Sequence, residues 1–391
     1  MKILVTGSKG FIGKNLITEL KNQGYSDIFE YDVDTDKLFL SKYTQECNFV
    51  FHLAGVNRPI DEKEFMEGNC GFTSELLDLL RKHNNKAPVL FTSSIQAERN
   101  NPYGISKKAG EKLVFSYSKE TRTKVFVYRL PNLFGKWSRP NYNTVVATYC
   151  HNIARDLDIQ INSPDVELTL CYIDDVVYEF IRALKNNSRQ PESELIPITK
   201  KGLSVAERDD TENVNFYFVP VTYNIKLGEL AITIRSFKEN RTNLNIPDME
   251  NELIKKLYST YLSFLPEDKF GYALKMNCDH KGSFTEFIRS PAGGQLSVNV
   301  SKLGITKGNH WHHTKNEKFI VVSGEGLIRF RKIDEEKIIE YKVSGQKLEI
   351  IDIPSGYTHS ITNVGEADLI TIIWASELFN PEKPDTYYLE V

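Results

Sequence analysis

Cysteine is scarce in this 391-residue chain, and its few copies form no pattern. The five are Cys47, Cys70, Cys150, Cys171 and Cys278, an odd number with no two of them two or three residues apart. A zinc–thiolate cluster needs closely spaced pairs, and a secreted disulfide framework usually has an even set. The cysteines therefore argue against both kinds of protein.

Charge of one sign and long apolar runs are also missing. The net charge is -3, with 40% hydrophobic and 26% charged residues, which is an ordinary balance for a soluble globular protein. Such a balance gives no general affinity for nucleic acid or for an anionic membrane. No apolar run approaches the roughly 20 residues of a transmembrane helix, and Met1–Gly7 indicates a strand rather than a signal peptide. We therefore expect a cytoplasmic protein of two or three domains, without nucleic-acid or membrane partners.

A strand, a glycine turn and a helix open the chain. Lys2–Thr6 is apolar, and an amphipathic helix pattern begins at Phe11. This order predicts a dinucleotide site, because glycines let the backbone approach a pyrophosphate and the helix N-terminus favours its charge. The glycine spacing is Gly-x-x-Gly-x-x-Gly rather than the usual Gly-x-Gly-x-x-Gly. The candidate contacts are Gly7, Ser8, Lys9, Gly10, Phe11, Ile12 and Gly13.

The residues leave the choice of nicotinamide cofactor open. A second strand, Ile28–Tyr31, ends at Asp32, whose carboxylate can accept from an adenosine ribose 2′-hydroxyl. That favours NADH and disfavours the 2′-phosphate of NADPH. Lys9 in the glycine turn can attract the same phosphate.

Further strands alternate with helices through the first half of the chain. They are predicted at Asn48–Leu53, Val89–Thr92 and Val125–Arg129, with a helix over Asn69–Lys82 between the first two. This alternation is typical of a doubly wound parallel sheet, an α/β Rossmann domain, in which ligands bind at the carboxyl ends of the strands. The residues expected to meet there are Gly7, Leu53, Ala54, Gly55, Ser94 and Asn132.

Tyr103 and Lys107 lie four residues apart, on one face of a helix predicted to run to about Lys119. A nearby ammonium stabilises a phenolate and lowers the pKa of the tyrosine, which can then exchange a proton with a carbonyl oxygen. A surface pair on a solvated helix is the alternative.

These motifs together resemble the extended short-chain dehydrogenase/reductases, above all those that act on nucleotide sugars. The resemblance implies that Tyr103 is the general acid or base, that Lys107 lowers its pKa and holds the nicotinamide ribose, and that Ser94 binds the substrate carbonyl, with Ser93 as the alternative. Dehydratases of this family carry an Asp-Glu pair after the catalytic hydroxyl residue, where this chain has Ile95-Gln96. We therefore expect carbonyl reduction. The matching segments are Thr6–Gly13, His52–Gly55, Ser93–Ser94, Tyr103–Lys107, Arg129–Asn132 and Tyr172–Val176.

The pattern changes in the second half. Asn186–Asn215 is interpreted as loops, a helix follows over Lys226–Glu239, and the polar stretch Arg241–Met249 is interpreted as a linker. A further helix, Asn251–Phe264, is expected to pack on the next domain. The predicted domains are therefore residues 1–245 and residues 246–391. Seven short strands separated by turns indicate an all-β sandwich or barrel in the second: Phe284–Ile288, Gln295–Ser301, Lys318–Val322, Gly326–Arg331, Lys337–Val343, Lys347–Ile353 and Leu369–Ala375.

Histidines mark the chemistry of this second domain. His310 and His312 alternate along a strand and so face the same side, whereas His313 faces the other. Imidazoles with one carboxylate suit Zn²⁺, Fe²⁺, Mn²⁺ or Ni²⁺. The segments Gly308–Gly324 and Pro354–Asn363 resemble the two cupin motifs of a jelly-roll fold, which implies a metal bound by His310, His312, Glu317 and His359. We expect zinc, and a metal-free cupin with structural histidines is the alternative.

The whole chain resembles the bifunctional enzymes of capsular polysaccharide synthesis that make precursors of UDP-N-acetyl-L-fucosamine. The resemblance implies that the cupin domain epimerises C3 of UDP-2-acetamido-2,6-dideoxy-L-arabino-hexos-4-ulose. The first domain then reduces C4 with NADPH to give UDP-2-acetamido-2,6-dideoxy-L-talose. We further expect a UDP-sugar as ligand and a homodimer.

Two other functions stay open, namely a one-reaction reductase with a regulatory or dimerising cupin, and a sugar-nucleotide sensor without turnover. The base that removes the C3 proton is not identified either. The candidates are His313, Lys315, Lys318 and Tyr357.

Overall fold

The structure is a computed structural model, and it describes residues 1–187, 208–209, 214–290 and 292–391. The chain divides into two compact units. The first comprises Met1–Arg235 and Glu252–Pro266, and the second Ser236–Asn251 and Glu267–Val391. In the described part of the chain, no helix combines the length and the apolar character that crossing a membrane requires.

The first unit is built on a parallel sheet with the strand order β2-β1-β3-β4-β5-β9-β8, in which only the short β8 is antiparallel to its neighbour among the described residues. A small second sheet has the order β10-β7-β6. The strands are β1 Ile3–Thr6, β2 Ile28–Tyr31, β3 Phe49–His52, β4 Val89–Ser94, β5 Val125–Leu130, β6 Asn132–Phe134, β7 Glu167–Tyr172, β8 Arg208–Asp209, β9 Val214–Tyr217 and β10 Tyr223–Lys226. The helices are α1 Phe11–Asn22, α2 Lys37–Glu46, α3 Lys63–Phe65, α4 Phe72–Lys82, α5 Pro102–Thr121, α6 Val145–Ala154, α7 Ile173–Asn187, α8 Leu227–Asn243 and α9 Glu252–Leu262.

Every residue of β1, β3 and β4 is buried, as expected for parallel strands covered by helices on both faces. The order 2-1-3-4-5 places the carboxyl ends of β1 and β3 side by side, so the turns that follow them meet at one edge. The predicted Rossmann fold is therefore confirmed.

The predicted loop region Asn186–Asn215 lies largely outside the described residues. Its described end was predicted wrongly, because Val214–Tyr217 forms a strand that pairs with β5.

The second unit consists of two antiparallel sheets, with the strand orders β11-β12-β13-β20-β15-β18 and β17-β16-β19-β14-β21. A core of apolar side chains that includes Phe319, Ile328 and Ile361 lies between strands of both sheets. This arrangement confirms the cupin-like all-β domain. The strands are β11 Asn277–Asp279, β12 Gly282–Ser290, β13 Gly294–Ser301, β14 Thr306–Trp311, β15 Glu317–Ser323, β16 Glu325–Lys332, β17 Ile338–Ser344, β18 Ile350–Ile353, β19 Tyr357–Asn363, β20 Leu369–Ala375 and β21 Tyr387–Tyr388.

The compact units interleave over residues 236–266, and the domain bounds 1–245 and 246–391 stay predictions. Helix α9 clusters with the first unit, where the ammonium of Lys256 bonds Asp175 at 2.8 Å and Tyr223 at 2.8 Å. The chain before it belongs to the second unit, because Asn245 pairs with Arg289 in an isolated bridge. The expectation that this helix packs on the second domain stays a prediction.

Candidate functional site

The glycine turn after β1 is held close to the end of β3. Gly7 has φ 69, and a Cβ there would lie 2.8 Å from the backbone nitrogen of Ala54. A Cβ on Gly13 would lie 2.2 Å from the carbonyl oxygen of Gly7. Both positions therefore require glycine, which lets the turn pack directly against the end of β3.

A cavity of about 1120 Å³ opens at this edge of the sheet. It brings together nearly all the predicted cofactor and catalytic residues, whereas Ser8 is buried and donates its N–H to Tyr31 O at 3.3 Å. The predicted residues that line the cavity are Gly7, Lys9, Gly10, Phe11, Ile12, Gly13, Asp32, Leu53, Ala54, Gly55, Ser93, Ser94, Tyr103, Lys107 and Asn132.

The two groups that bear on cofactor choice are both engaged. Asp32 accepts the backbone N–H of Lys9 at 2.7 Å and that of Val33 at 2.8 Å, one on each carboxylate oxygen. The Lys9 ammonium forms an ion pair with Asp34 on the exposed surface. Asp32 therefore ties the glycine turn to β2, and Lys9 stays at the cavity rim.

Tyr103 and Ser94 lie together in the cavity. They share a hydrogen bond, but burial dominates and raises the pKa of Tyr103 to about 12. The Lys107 ammonium donates to Thr92 O at 3.2 Å and lies 5.9 Å from the centre of the tyrosine ring. Lys107 is not among the groups that shift the pKa of Tyr103 here, so its predicted lowering of that pKa stays a prediction.

Lys107 is fully buried, and burial lowers its pKa to about 8, with Glu111 acting in the opposite direction. Gly55 makes room for it, since a Cβ there would lie 2.9 Å from the ammonium nitrogen. The ammonium of Lys107 thus lies beside the end of β3, in the lining of the cavity, where it could contact a ribose.

The hydroxyl of Ser93 is already engaged in a buried hydrogen-bond network. It donates to Glu111 at 2.5 Å, and both oxygens of that carboxylate accept from Arg129 at 2.9 Å. All three side chains are buried. This arrangement favours Ser94 over Ser93 as the hydroxyl that meets a substrate.

Asn69, which the sequence analysis placed at the start of a regular helix, supports the site from outside the residues that line the cavity. It lies instead in a π-helical turn, Met66–Gly71, a feature that is frequent at functional sites. Its side chain accepts from Val56 N at 2.9 Å and donates to Val56 O at 3.0 Å and to Ser106 at 3.0 Å. Asn69 thereby fixes the segment after Gly55 against the helix that carries Tyr103 and Lys107.

The second unit holds a cluster of four predicted metal ligands. One ligand atom from each of His310, His312, Glu317 and His359 lies within 4.8 Å of the others. Strand pairing builds the cluster, because His310 is opposite His359 across β14 and β19, and Glu317 begins β15. His313 is exposed, as its alternation predicts.

The cluster fits a metal ion. Nε2 of His312 and both ring nitrogens of His359 are buried without a hydrogen-bond partner, which is costly unless a ligand occupies the space. Burial raises the pKa of Glu317, but the nearby rings of His312 and His359 and the charge of Lys315 outweigh it and hold that pKa far below its usual range. Burial, together with His359, lowers the pKa of His310 to about 4. Neutral imidazoles and an ionised carboxylate are the forms that bind a divalent metal.

Asp385, far along the chain, organises the loop between two of these ligands. Its carboxylate accepts the backbone N–H groups of His313, Thr314 and Lys315 at 2.7–2.9 Å. Its carbonyl oxygen bonds Nδ1 of His312. A metal-binding histidine is commonly oriented in this way, through its second nitrogen.

A cavity of about 450 Å³ adjoins the cluster. Of the four candidate bases, Lys315 lines it, whereas Lys318 pairs with Asp352 and is half exposed. His313 packs against Trp311 and Tyr387, outside the residues that line the cavity. Lys307, which the sequence reasoning missed, also lines the cavity.

Comparison with known proteins agrees with this division. The family model described as "NAD dependent epimerase/dehydratase family" matches residues 3–198, and that described as "Polysaccharide biosynthesis C-terminal domain" matches residues 277–387. The fold of the first unit is shared with UDP-glucuronic acid 4-epimerase from Bacillus cereus in complex with NAD. The two are 20% identical with a TM-score of 0.51, over 68% of this chain and 98% of the other.

Two relatives match along the whole chain. The crystal structure of the capsular polysaccharide assembling protein CapF from Staphylococcus aureus is 48% identical, with a TM-score of 0.89 and complete coverage of both chains. A Pseudomonas aeruginosa protein named UDP-2-acetamido-2,6-beta-L-arabino-hexul-4-ose reductase is 40% identical over 100% of this chain and 99% of its own. The chain therefore belongs to the CapF-like capsular polysaccharide enzymes, with a NAD-dependent epimerase/dehydratase domain followed by a polysaccharide biosynthesis C-terminal domain.

Proposed function

We propose that this chain is a bifunctional nucleotide-sugar enzyme. Its first domain reduces the C4 ketone of a UDP-2-acetamido-2,6-dideoxy-hexos-4-ulose, and its cupin domain first epimerises C3. The observation that carries this proposal is the presence of two chemically distinct cavities, one holding Ser94, Tyr103 and Lys107 and the other the His/Glu cluster. The reductase name of the Pseudomonas aeruginosa relative supports the first activity.

In the reductase cavity, Ser94 and Tyr103 receive the C4 carbonyl oxygen. A bound nicotinamide cofactor supplies the hydride that is added to C4. Tyr103 donates its phenolic proton to the oxygen, which agrees with the direction in which burial shifts its pKa, upwards. The buried ammonium of Lys107 offsets the negative charge that remains on the tyrosine.

The cofactor we propose is NADPH, as the family resemblance implies. Asp32 already accepts backbone N–H bonds on both oxygens, and Lys9 at the cavity rim is exposed enough to turn towards a 2′-phosphate. Steady-state kcat/KM with each cofactor measures the preference. A strong preference for NADH would show that Asp32 outweighs Lys9.

The cupin cavity suits proton removal next to a ketone. The C3 proton is acidic only while C4 is a ketone, so epimerisation must precede reduction. A divalent metal, for which we propose zinc, would supply positive charge that stabilises the enolate formed by loss of the C3 proton. His310, His312, Glu317 and His359 would hold it. The equilibrium constant of the epimerisation alone is near one, and reduction consumes the epimer that forms. This is a reason for keeping both sites on one chain.

The experiment is incubation of the 4-keto sugar nucleotide in D₂O, with and without NADPH. Tyr103→Phe should slow cofactor oxidation by about 10²–10⁴-fold, as expected for loss of a general acid, while deuterium still enters C3. His359→Ala should show slow exchange but normal reduction of ketone that is already epimerised. If Tyr103→Phe stops exchange as completely as reduction, the proton moves in the reductase cavity. If no deuterium enters C3 in the wild type, the chain is a one-reaction reductase.

A further inference from the structure

The carboxylate of Glu317 has its two oxygens in different surroundings. One oxygen lies 3.6 Å from Nε2 of His312 and 3.4 Å from Nε2 of His359, so it faces the interior of the cluster. The other lies 3.2 Å from the ammonium of Lys315. The carboxylate is nine-tenths buried, and Lys315 is itself largely buried, so the pair is well shielded from solvent.

The backbone of Lys315 is fixed by contacts outside the cluster. Its N–H donates to Asp385 at 2.9 Å, within the loop that the same carboxylate holds at His313 and Thr314. The side chain therefore starts from a constrained point two residues before Glu317. Lys315 also lines the cavity next to the cluster.

A neighbouring lysine provides a contrast. Lys318 follows Glu317 directly and pairs with Asp352, but β15 turns its side chain to the exposed face. Lys315 thus contacts the cluster through Glu317, whereas Lys318 carries the same positive charge on the exposed face of β15.

Carboxylates bind metals through one oxygen or through both, and an ammonium on one oxygen opposes the second mode by occupying that oxygen and repelling the metal. We propose that Lys315 is a positioning residue that restricts Glu317 to one-oxygen ligation and so keeps a coordination position open towards the cavity. Four protein ligands fill a tetrahedral zinc, so this position is the fifth one, to which catalytic zinc sites can expand, and a second Glu317 oxygen would otherwise take it. This inference rests on the proposed metal site, and it assigns that site to substrate binding rather than to folding alone. The substrate class is an α-hydroxy ketone, the unit formed by C3 and C4 of the sugar, whose oxygen would take the open position.

The test compares Lys315→Met with the matched variant Lys318→Met in the full chain loaded with Co²⁺ or Zn²⁺. Release of the second Glu317 oxygen should raise the coordination number by one in Lys315→Met, measured by X-ray absorption on Zn²⁺. The visible absorption of the Co²⁺ form should become weaker. Lys318→Met should match the wild type in both readouts. Neither measurement uses substrate, so the result does not depend on epimerase activity.

Metal titration adds a second readout. Removing the ammonium should leave metal affinity equal or higher, because a positive charge next to the metal is lost and an oxygen is gained. C3 exchange in D₂O should fall, while reduction of epimerised ketone stays unchanged. Unchanged coordination in metal-loaded Lys315→Met would overturn the proposal. Loss of metal from Lys315→Met would also overturn it, because Lys315 would then be needed to hold the cluster together. An equal change of coordination in Lys318→Met would overturn it as well.

Discussion

Replacing Glu111 with glutamine removes the charge at the centre of a buried network beneath the reductase cavity. Glu111 and Arg129 have side chains only 3% and 8% exposed, and two N–H bonds of 2.9 Å join them. Ser93 adds a third bond at 2.5 Å. Glutamine keeps the shape of the side chain but leaves the Arg129 charge without its buried counterion.

The size of the effect follows from what Arg129 retains. Breaking a buried ion pair by removing one partner costs about 3–5 kcal/mol. Arg129 keeps a 2.7 Å pair with Glu98 and lies 3.7 Å over the ring of Phe216. Glu98 is 63% exposed, so solvent screens that pair, and we expect a loss at the lower end, about 3 kcal/mol. For a unit of this size each kcal/mol lowers the melting temperature by about 2–4 °C, so the shift is about 6–12 °C.

Differential scanning calorimetry on the metal-loaded chain is the assay. The transition of the first unit should move, and that of the cupin unit should stay. Glu120→Gln is the control, since Glu120 forms an exposed pair with Arg81 at 3.0 Å and should cost no more than about 1 kcal/mol. If Glu111→Gln changes stability as little as this control, the network does not stabilise the fold as argued.

Three further results are expected. Gly55→Ala should reduce cofactor oxidation while C3 exchange continues, because the new Cβ would lie 2.8 Å from Asn69 Oδ1 and 2.9 Å from the Lys107 ammonium; unchanged oxidation would contradict this. The pKa of Lys107 is lowered to about 8 from a normal value near 10.5, so between these pH values the unfolded chain binds more protons and the folded state gains stability as pH rises. Urea unfolding of the cofactor-free protein should therefore show the free energy of unfolding of the wild type rising relative to that of Lys107→Met over this pH window. Parallel plots of the two free energies against pH would refute the lowered pKa of Lys107. Chelation of the metal should lower the melting temperature of the cupin unit, because a bound metal stabilises the folded state. Elemental analysis should find no bound metal in the double variant His310→Ala with His359→Ala. Full metal occupancy in that variant would mean that the ligands are misassigned.

Local sequence was sufficient for the elements whose signal is short-ranged. The strand at Ile28–Tyr31 and that at Leu369–Ala375 have the predicted bounds, and the helix of Tyr103 and Lys107 differs from its prediction by only a few residues. Periodicity and turn residues determine such elements within a few neighbours. The motif spacing also placed the four metal-ligand candidates, since three lie within eight residues of one another.

Contacts between distant segments could not be predicted from these local sequence patterns. The π-helical turn at Asn69 depends on its bonds to Val56 and Ser106, and nothing in the local pattern distinguishes it from a regular helix. The role of Asp385 depends on strand β21 pairing with β14, which brings together Tyr388 and His310, 78 residues apart, and Tyr387 and Trp311, 76 residues apart.

The sequence by itself determined the two domain types and the order of their motifs, and it supplied the candidate site residues. The domain types follow from residue type and spacing, and the candidate residues follow from those motifs and from the family resemblance they carry. Only the tertiary structure decided the surroundings and the partners of these candidates. Burial raises the pKa of Tyr103 and lowers that of Lys107, Ser93 donates to Glu111, and Lys315 forms an ion pair with one oxygen of Glu317. Desolvation and ion pairing depend on which distant atoms surround a group, and that arrangement exists only once the chain has folded.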